Sequence, residues 1–247
     1  MATKKKETVP VAEGTENKEG FLQQFEAAEK EASEKAAQQD EAEKARQEQM
    51  QAVKTEITQV LLNTGRDGVA DLVDVMDEMG FFEAPASSGG GRHSAEAGGL
   101  ATHSLNVLHT AEKMSVALIG GRNIDQEFRQ SLALVCLLHD LGKMGDFGKK
   151  LYVPNILKSG KQSDAKPWEK NKELTNIPHS IKSVIIAERW VDLTEEEEYA
   201  IMYHDGLYDR ETGGMTVIQG HETRLLMILH WADMWSSRII EGSNGDE

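Results

Sequence analysis

The sequence predicts an all-α domain preceded by a charged, low-complexity segment, and three observations carry that expectation. From about residue 49 onward, apolar residues recur at helical spacing in one segment after another. Several of those segments stop at Gly or Asn, or start at Thr followed by acidic residues, which are helix boundary signals. Before that point the chain is almost all Glu, Lys, Gln and Ala, with Phe21, Leu22 and Phe25 as its large apolar side chains.

Residues 1–48 cannot bury enough surface to offset their ordering entropy, so they are expected to be disordered or a solvated, charge-laced helix. Glu/Lys pairs four residues apart and the Ala content favour helix weakly, and no heptad is sustained. The domain itself is expected over 49–241, with a flexible tail at 242–247. Its first helix, 50–62, sets Val53, Ile57, Val60 and Leu61 on one face and stops at Asn63-Thr64-Gly65. The second, 69–79, carries Leu72, Val73, Val75 and Met76 and stops at Gly80. A long irregular loop follows, from Phe81 through a Gly-rich patch to Gly99, and loops of that length inside a domain are often functional.

The segment 100–119 forms the helix that carries His103, and 124–141 forms the most buried one, ending at His139-Asp140 with Gly142 close behind. Residues 145–175 are rich in Gly, Lys, Ser and Asn and read as a mobile loop with little regular structure. Helix 178–191 has His179 in its first turn. Thr194, followed by Glu195 to Glu198, is the N-cap of the next helix, because acidic residues favour the positive end of the helix dipole. That helix runs to Tyr203-His204-Asp205-Gly206. The last one, 219–240, sets Asp233 among Leu225, Leu226, Ile228, Leu229, Trp231 and Trp235.

A formal net charge of -15 argues against sequence-independent nucleic-acid binding, which needs clustered Lys and Arg. Lys4-Lys5-Lys6 reads as a solubilising tail. The single cysteine, Cys136, sits in an apolar run as a small buried hydrophobe, and one thiol cannot form an internal disulfide, which fits a reducing compartment. With no membrane-length apolar run and no signal-peptide core, the expectation is a soluble, cytoplasmic protein.

The segment Leu137-Leu138-His139-Asp140-Leu141-Gly142-Lys143 is the chemically informative one. A carboxylate at the end of so apolar a run needs a strong partner, and a divalent cation is the best candidate. Adjacent residues of a regular helix diverge by about 100°, whereas a helix end lets His139 and Asp140 reach one site. His103, His179, His204 and Asp233 supply further ligands. Alone, each has a bland alternative, since a histidine at a helix start is more often a cap, and Asp233 can pair with an Arg or His230. Together, helix-end and inner-face positions of ligand type make a metal site the economical explanation.

The order His, His-Asp, His, His, Asp resembles the HD superfamily of metal-dependent phosphohydrolases, over nearly everything from Phe81 to Trp235. Phe82-Glu83-Ala84-Pro85-Ala86-Ser87, Gly98-Gly99-Leu100 with His103-Ser104-Leu105-Asn106-Val107, Leu138 to Lys143, Pro178-His179 with Lys182-Ser183-Val184, and Leu193-Thr194 through Tyr203-His204 carry the likeness. They are similar in particular to HD proteins of bacterial prophages and to the HD domain of bacterial 3'-to-5' exoribonucleases. One departure is Pro178-His179-Ser180-Ile181, where the prophage group often has Gly-His-Gly-Glu.

The resemblance implies that His103, His139, Asp140 and Asp233 hold a first metal, that His179 and His204 hold a second, and that Asp140 bridges them. One or two divalent ions are therefore expected, from among Mn, Fe, Co, Ni, Zn or Mg. Lys143 is close enough in sequence to contact phosphate or pair with Asp140, and its plainer alternative is an exposed helix-end lysine. Asp205 either orients a ligand or helps move a proton, or is a turn aspartate; His93 is either a substrate contact or an idle loop residue, and His109, His221 and His230 are structural. The expected activity is hydrolysis of a phosphoester or phosphoanhydride of a small nucleotide by a metal-activated water. The alternatives are a 3'-to-5' exonuclease on single-stranded nucleic acid, and a non-catalytic nucleotide- or partner-binding module. Residues 1–48 are a candidate element for a protein partner, and no membrane association is expected.

Overall fold

The computed structural model describes residues 16–89, 94–206 and 212–242. The chain divides into two units, Met1–Gln49 and Met50–Glu247. In the first, helix α1 (Glu16–Asn63) begins, and its described side chains from Glu29 to Gln49 are all exposed. Pairs such as Glu31 with Lys35, at 2.6 Å, contribute only a few tenths of a kcal/mol each at exposed sites. The separate helix expected to begin at residue 50 is corrected by the structure. No Gly or Pro lies between residues 21 and 63, so α1 has no breaker and continues to Asn63.

Among its described residues the regular structure of the second unit is helical apart from two small ribbons and one isolated bridge, Ile156 with Gln162. The end of α1 buries Ile57 and Leu61, and α2 (Val69–Glu78) buries Val69, Leu72, Val73 and Met76, the one-face spacing read from sequence. Helix α3 (Gly99–Ser115) packs on α4 (Gln126–Leu138) and on α8 (Arg224–Trp235), which in turn packs on α6 (Glu195–Met202). Helix α5 (His179–Ala187) lies on α6 and on a 3-10 turn, Leu141–Met144, while the short α7 (Gly214–Ile218) precedes α8. The side chains of Asp125, Thr194 and Thr223 cap α4, α6 and α8. Both α3 and α8 end in π-helical turns, Val116–Gly120 and Ser236–Ile240.

The capping box of α6 also anchors the fold. Glu197 is fully buried, accepts from Thr194 N at 2.8 Å, and pairs with Arg66, whose Nη1 reaches Asp192 O at 3.1 Å. Removing one member of a buried pair leaves an uncompensated charge. Glu197→Ala is therefore expected to lower unfolding free energy by about 3 kcal/mol in a urea titration. A change within about 0.5 kcal/mol would show that the pair is a dispensable surface contact.

The reading of 145–175 as loop is corrected as well. Strands β1 (Gly145–Asp146) and β2 (Lys149–Lys150) form one antiparallel ribbon, and β3 (Tyr152–Pro154) and β4 (Trp168–Lys170) form another. Buried Asp146 fastens the first ribbon to α5: it accepts from Arg189 at 2.8 and 3.0 Å and from Lys182 at 3.1 Å. Burial opposes its ionised form, but Arg189 and Lys182 prevail and hold the carboxyl below its ordinary range.

Candidate metal centre

Helix ends bring the chemistry together. His139 is the C-cap of α4, and Asp140 leaves helical geometry at φ -103°, ψ 10°, so the two neighbours turn toward one point. His179 opens α5. Its close approach depends on Gly142, where a Cβ would stand 2.3 Å from His179 O, and on Ser183, whose hydroxyl donates to that same carbonyl at 2.9 Å and accepts from Gly142 N at 2.8 Å. His103 projects from α3 and Asp233 from the last turns of α8, while His204 lies just beyond α6.

Asp140 stands at the middle of the group. Its Oδ2 lies 3.4 Å from His139 Nε2, 3.6 Å from His103 Nε2 and 2.6 Å from Lys143 Nζ. Its Oδ1 lies 3.2 Å from His179 Nε2 and 3.7 Å from His204 Nε2. Asp233 Oδ1 is 3.1 Å from His103 Nε2. Three overlapping groups have ligand atoms mutually close enough to share an ion: His103, His139 and Asp233; His139, Asp140 and His204; and His179, His204 and Asp205.

Hydrogen bonds orient the candidate ligands. His139 Nδ1 is 2.9 Å from Cys136 O and His204 Nδ1 is 2.8 Å from Ile201 O. A carbonyl only accepts, so Nδ1 is the donor in each contact and Nε2 is the nitrogen turned toward the cluster. His230, expected to be structural, donates from Nδ1 to His204 O at 2.8 Å and so braces a candidate ligand.

Asp140 Oδ1 and His179 Nε2 are buried without a hydrogen-bond partner even though they approach to 3.2 Å, because they do not meet hydrogen-bond geometry. Orphaned, inward-facing nitrogen and oxygen donors are what a divalent cation completes, and the residues fit one.

Electrostatics point the same way. Burial opposes the ionised carboxyl of Asp140, but Lys143 and His139 more than compensate, and its pKa falls well below normal. Burial likewise opposes a charged His103, but hydrogen bonds to Asp233 and Glu241 raise its pKa to about 10. The reciprocal interaction with His103 holds the Asp233 carboxyl far below its usual range, against burial.

Among the other expected residues, Lys143 donates to Asp140 rather than standing at an exposed helix end. Asp205 sits at the rim, 3.4 Å from His179 Nε2 and 3.9 Å from His204 Nε2. His93 lies outside the described residues. His109 makes a surface pair with Glu56 at 2.8 Å, and His221 is exposed.

Glu241 is the residue that sequence reasoning missed. Both of its oxygens lie 3.1 Å from His103 Nδ1, and it accepts from Asn106 at 3.1 Å and Ser94 at 2.9 Å. A carboxylate behind a ligand imidazole fixes its tautomer and strengthens it as a donor. Glu241→Ala is expected to weaken divalent-metal binding about 10- to 100-fold in competition against a chromogenic chelator. Affinity equal to wild type would mean that the contact does not support His103.

Residues 100–234 match the model of the HD domain. No curated protein and no solved structure matches the chain. Among the described residues, no helix is long and apolar enough to cross a membrane.

Proposed function

The chain belongs to the HD-domain family, which implies metal-dependent phosphohydrolase-type activity in general, and from that premise we propose that it cleaves a phosphoester or phosphoanhydride of a nucleotide. The observation that carries this reading is Asp140, whose two oxygens face different pairs of imidazoles, His103 with His139 and His179 with His204. In this reading His103, His139, Asp140 and Asp233 would hold one ion, and His179 and His204, with Asp140, would hold a second. Mixed imidazole and carboxylate ligation suits Mn, Fe, Co, Ni or Zn.

A divalent ion held there would supply a water of lowered pKa and positive charge for the phosphoryl oxygens. The chain's own groups do the remaining work. Lys143 has N–H donors beyond the one given to Asp140, and these contact the phosphoryl oxygens of the substrate. Asp205 is partly exposed, beside the His179 and His204 pair, where it takes a proton from the incoming water. The buried walls of α3, α4 and α8 keep bulk water from the inner ligands and so strengthen each interaction.

A second reading, 3'-to-5' trimming of single-stranded nucleic acid, is favoured by one feature. Seven lysines, from Lys149 to Lys172, concentrate in the ribbon segment of an otherwise acidic chain. The experiment is hydrolysis of a panel of ribo- and deoxyribonucleotides, cyclic nucleotides and a single-stranded oligonucleotide with added Mn. Cleavage of a small nucleotide supports the principal reading, and cleavage of the oligonucleotide alone supports the second. Metal binding without turnover of any substrate contradicts both and supports a binding module.

A further inference from the structure

On the Lys143 side of the cluster lies a pocket built from three separate pieces of chain. Glu83 comes from the loop after α2, Lys143 and Met144 from the 3-10 turn, and Lys150, Tyr152 and Trp168 from the ribbons. The ribbon is fastened to that loop: Trp168 Nε1 donates to Ala95 O at 2.6 Å and Trp168 N to Ser88 O at 3.4 Å. Register decides which side chains form its wall. Trp168 pairs with Pro154, two residues from Tyr152, and alternation puts Tyr152 and Trp168 on one face.

Three polar side chains line the pocket with this aromatic wall: half-buried Tyr152 and the exposed Lys150 and Glu83. Among the described residues, none of the three makes a hydrogen bond or an ion pair. Burial raises the Tyr152 phenol, while Lys143 lowers it and Asp140 raises it, so the hydroxyl is within electrostatic reach of the cluster. Lys143 belongs to both places, since it lines the pocket and lies 2.6 Å from Asp140. A phosphoryl group over the cluster would therefore leave the rest of its ester at this opening.

We infer that this pocket is the subsite for the nucleoside half of the substrate, with the sugar against Tyr152, Lys150 and Glu83 and a ring against the aromatic wall. The chemistry matches part by part. A carboxylate accepts from sugar hydroxyls or exocyclic amines, an ammonium and a phenol donate to ring or sugar oxygens, and aromatic faces stack on bases. The cavity, about 50 Å³, holds only a few waters, which suits a pentose inside and a base at the open mouth. This inference rests on the nucleotide reading above and makes it specific: simple aryl phosphates satisfy the cluster but leave Lys150 and Glu83 unused.

The test uses the full chain with Mn and compares ribo- and deoxyribonucleoside mono- and triphosphates with phenyl phosphate, for wild type, Lys150→Ala and Tyr152→Phe. Lys150 is exposed and Tyr152→Phe keeps the ring, so both variants are expected to fold. For the preferred nucleotide, KM is expected to rise about tenfold in each variant, with kcat changing less than about threefold, as for loss of one ground-state hydrogen bond. Selectivity over phenyl phosphate is expected to fall by about the same factor. Equilibrium dialysis of that nucleotide against metal-free protein is expected to show the same weakening without any turnover. A nucleotide KM that stays at the wild-type value, or rises no more than that of phenyl phosphate, overturns the subsite and leaves the nucleotide reading standing. Wild-type turnover of phenyl phosphate with neither turnover nor binding of any nucleotide overturns both.

Discussion

Asp140→Asn is expected to reduce metal-dependent nucleotide hydrolysis by more than about a thousandfold, beyond the 10- to 100-fold typical of losing an outer-shell contact. Asn keeps the shape of the side chain and removes its charge. Both oxygens of Asp140 face imidazole Nε2 atoms, so one substitution removes a ligand from both sides of the cluster. A second consequence separates this loss from a general defect. Lys143 is buried against Asp140 and, although burial opposes its charge, that carboxylate raises its pKa further above the usual lysine value. The variant strands this ammonium, and stability is expected to fall by about 3 kcal/mol. Activity is thus lost at temperatures where far-UV circular dichroism still reports a folded chain. Retention of more than about a tenth of wild-type kcat/KM would exclude Asp140 from the reaction.

The second large effect is a dependence of metal affinity on pH. In the metal-free protein, burial opposes the imidazolium of His103, but Asp233 and Glu241 raise its pKa from 6.5 to about 10. A raised folded-state pKa contributes stability that is fully present below about 6.5 and is lost as pH rises through about 10. Metal has the opposite preference, because it needs the lone pair that the proton occupies. Binding at neutral pH is therefore expected to release a proton from His103, and affinity to rise about tenfold per pH unit from pH 7 toward 9. Calorimetric titration in buffers of different ionisation enthalpy measures the proton count. A pH-independent affinity would show that His103 is neutral before metal arrives.

Much of the helical architecture is legible in the chain because its signals are local. Ile57 and Leu61 at the end of α1, and Leu72 and Met76 in α2, are read from spacing and are buried. The Thr194 N-cap is read from the acidic run after it and is present in the structure, where Glu197 completes it as a capping box. The two ribbons are not legible, because strands of two or three residues are too short for alternation to register and lysines occupy several of their positions. The first is fastened by Asp146 meeting Arg189 and Lys182 and the second by Trp168 meeting Ala95 and Ser88, contacts separated by tens of residues and invisible to a local reading. The continuation of α1 through residue 50 is obscured differently: between Phe25 and Met50 the helix has no large apolar side chain and carries no stripe, and only the absence of breakers signals that it persists.

The site divides along the same line. His139-Asp140 stands out because a charged pair at the end of an apolar run needs a partner, and the remaining ligand types could be picked out as helix-end histidines. Glu241 carries no such mark. It lies past the last turn of α8 in a polar stretch, and its relation to His103 exists only because the π-helical turn Ser236–Ile240 carries the chain back across α3. The pocket of Glu83, Lys150 and Tyr152 is equally silent, since its residues come from a loop and two ribbons that only the fold brings together.

Anomalous diffraction from a crystal of the full chain grown with Mn tests the central claim most directly. The expected result is at least one anomalous peak within about 2.0–2.3 Å of an Asp140 oxygen and of Nε2 atoms from His103 and His139 or from His179 and His204. Strong peaks elsewhere on the protein, with none beside Asp140, would contradict a metal centre there and with it the hydrolytic mechanism.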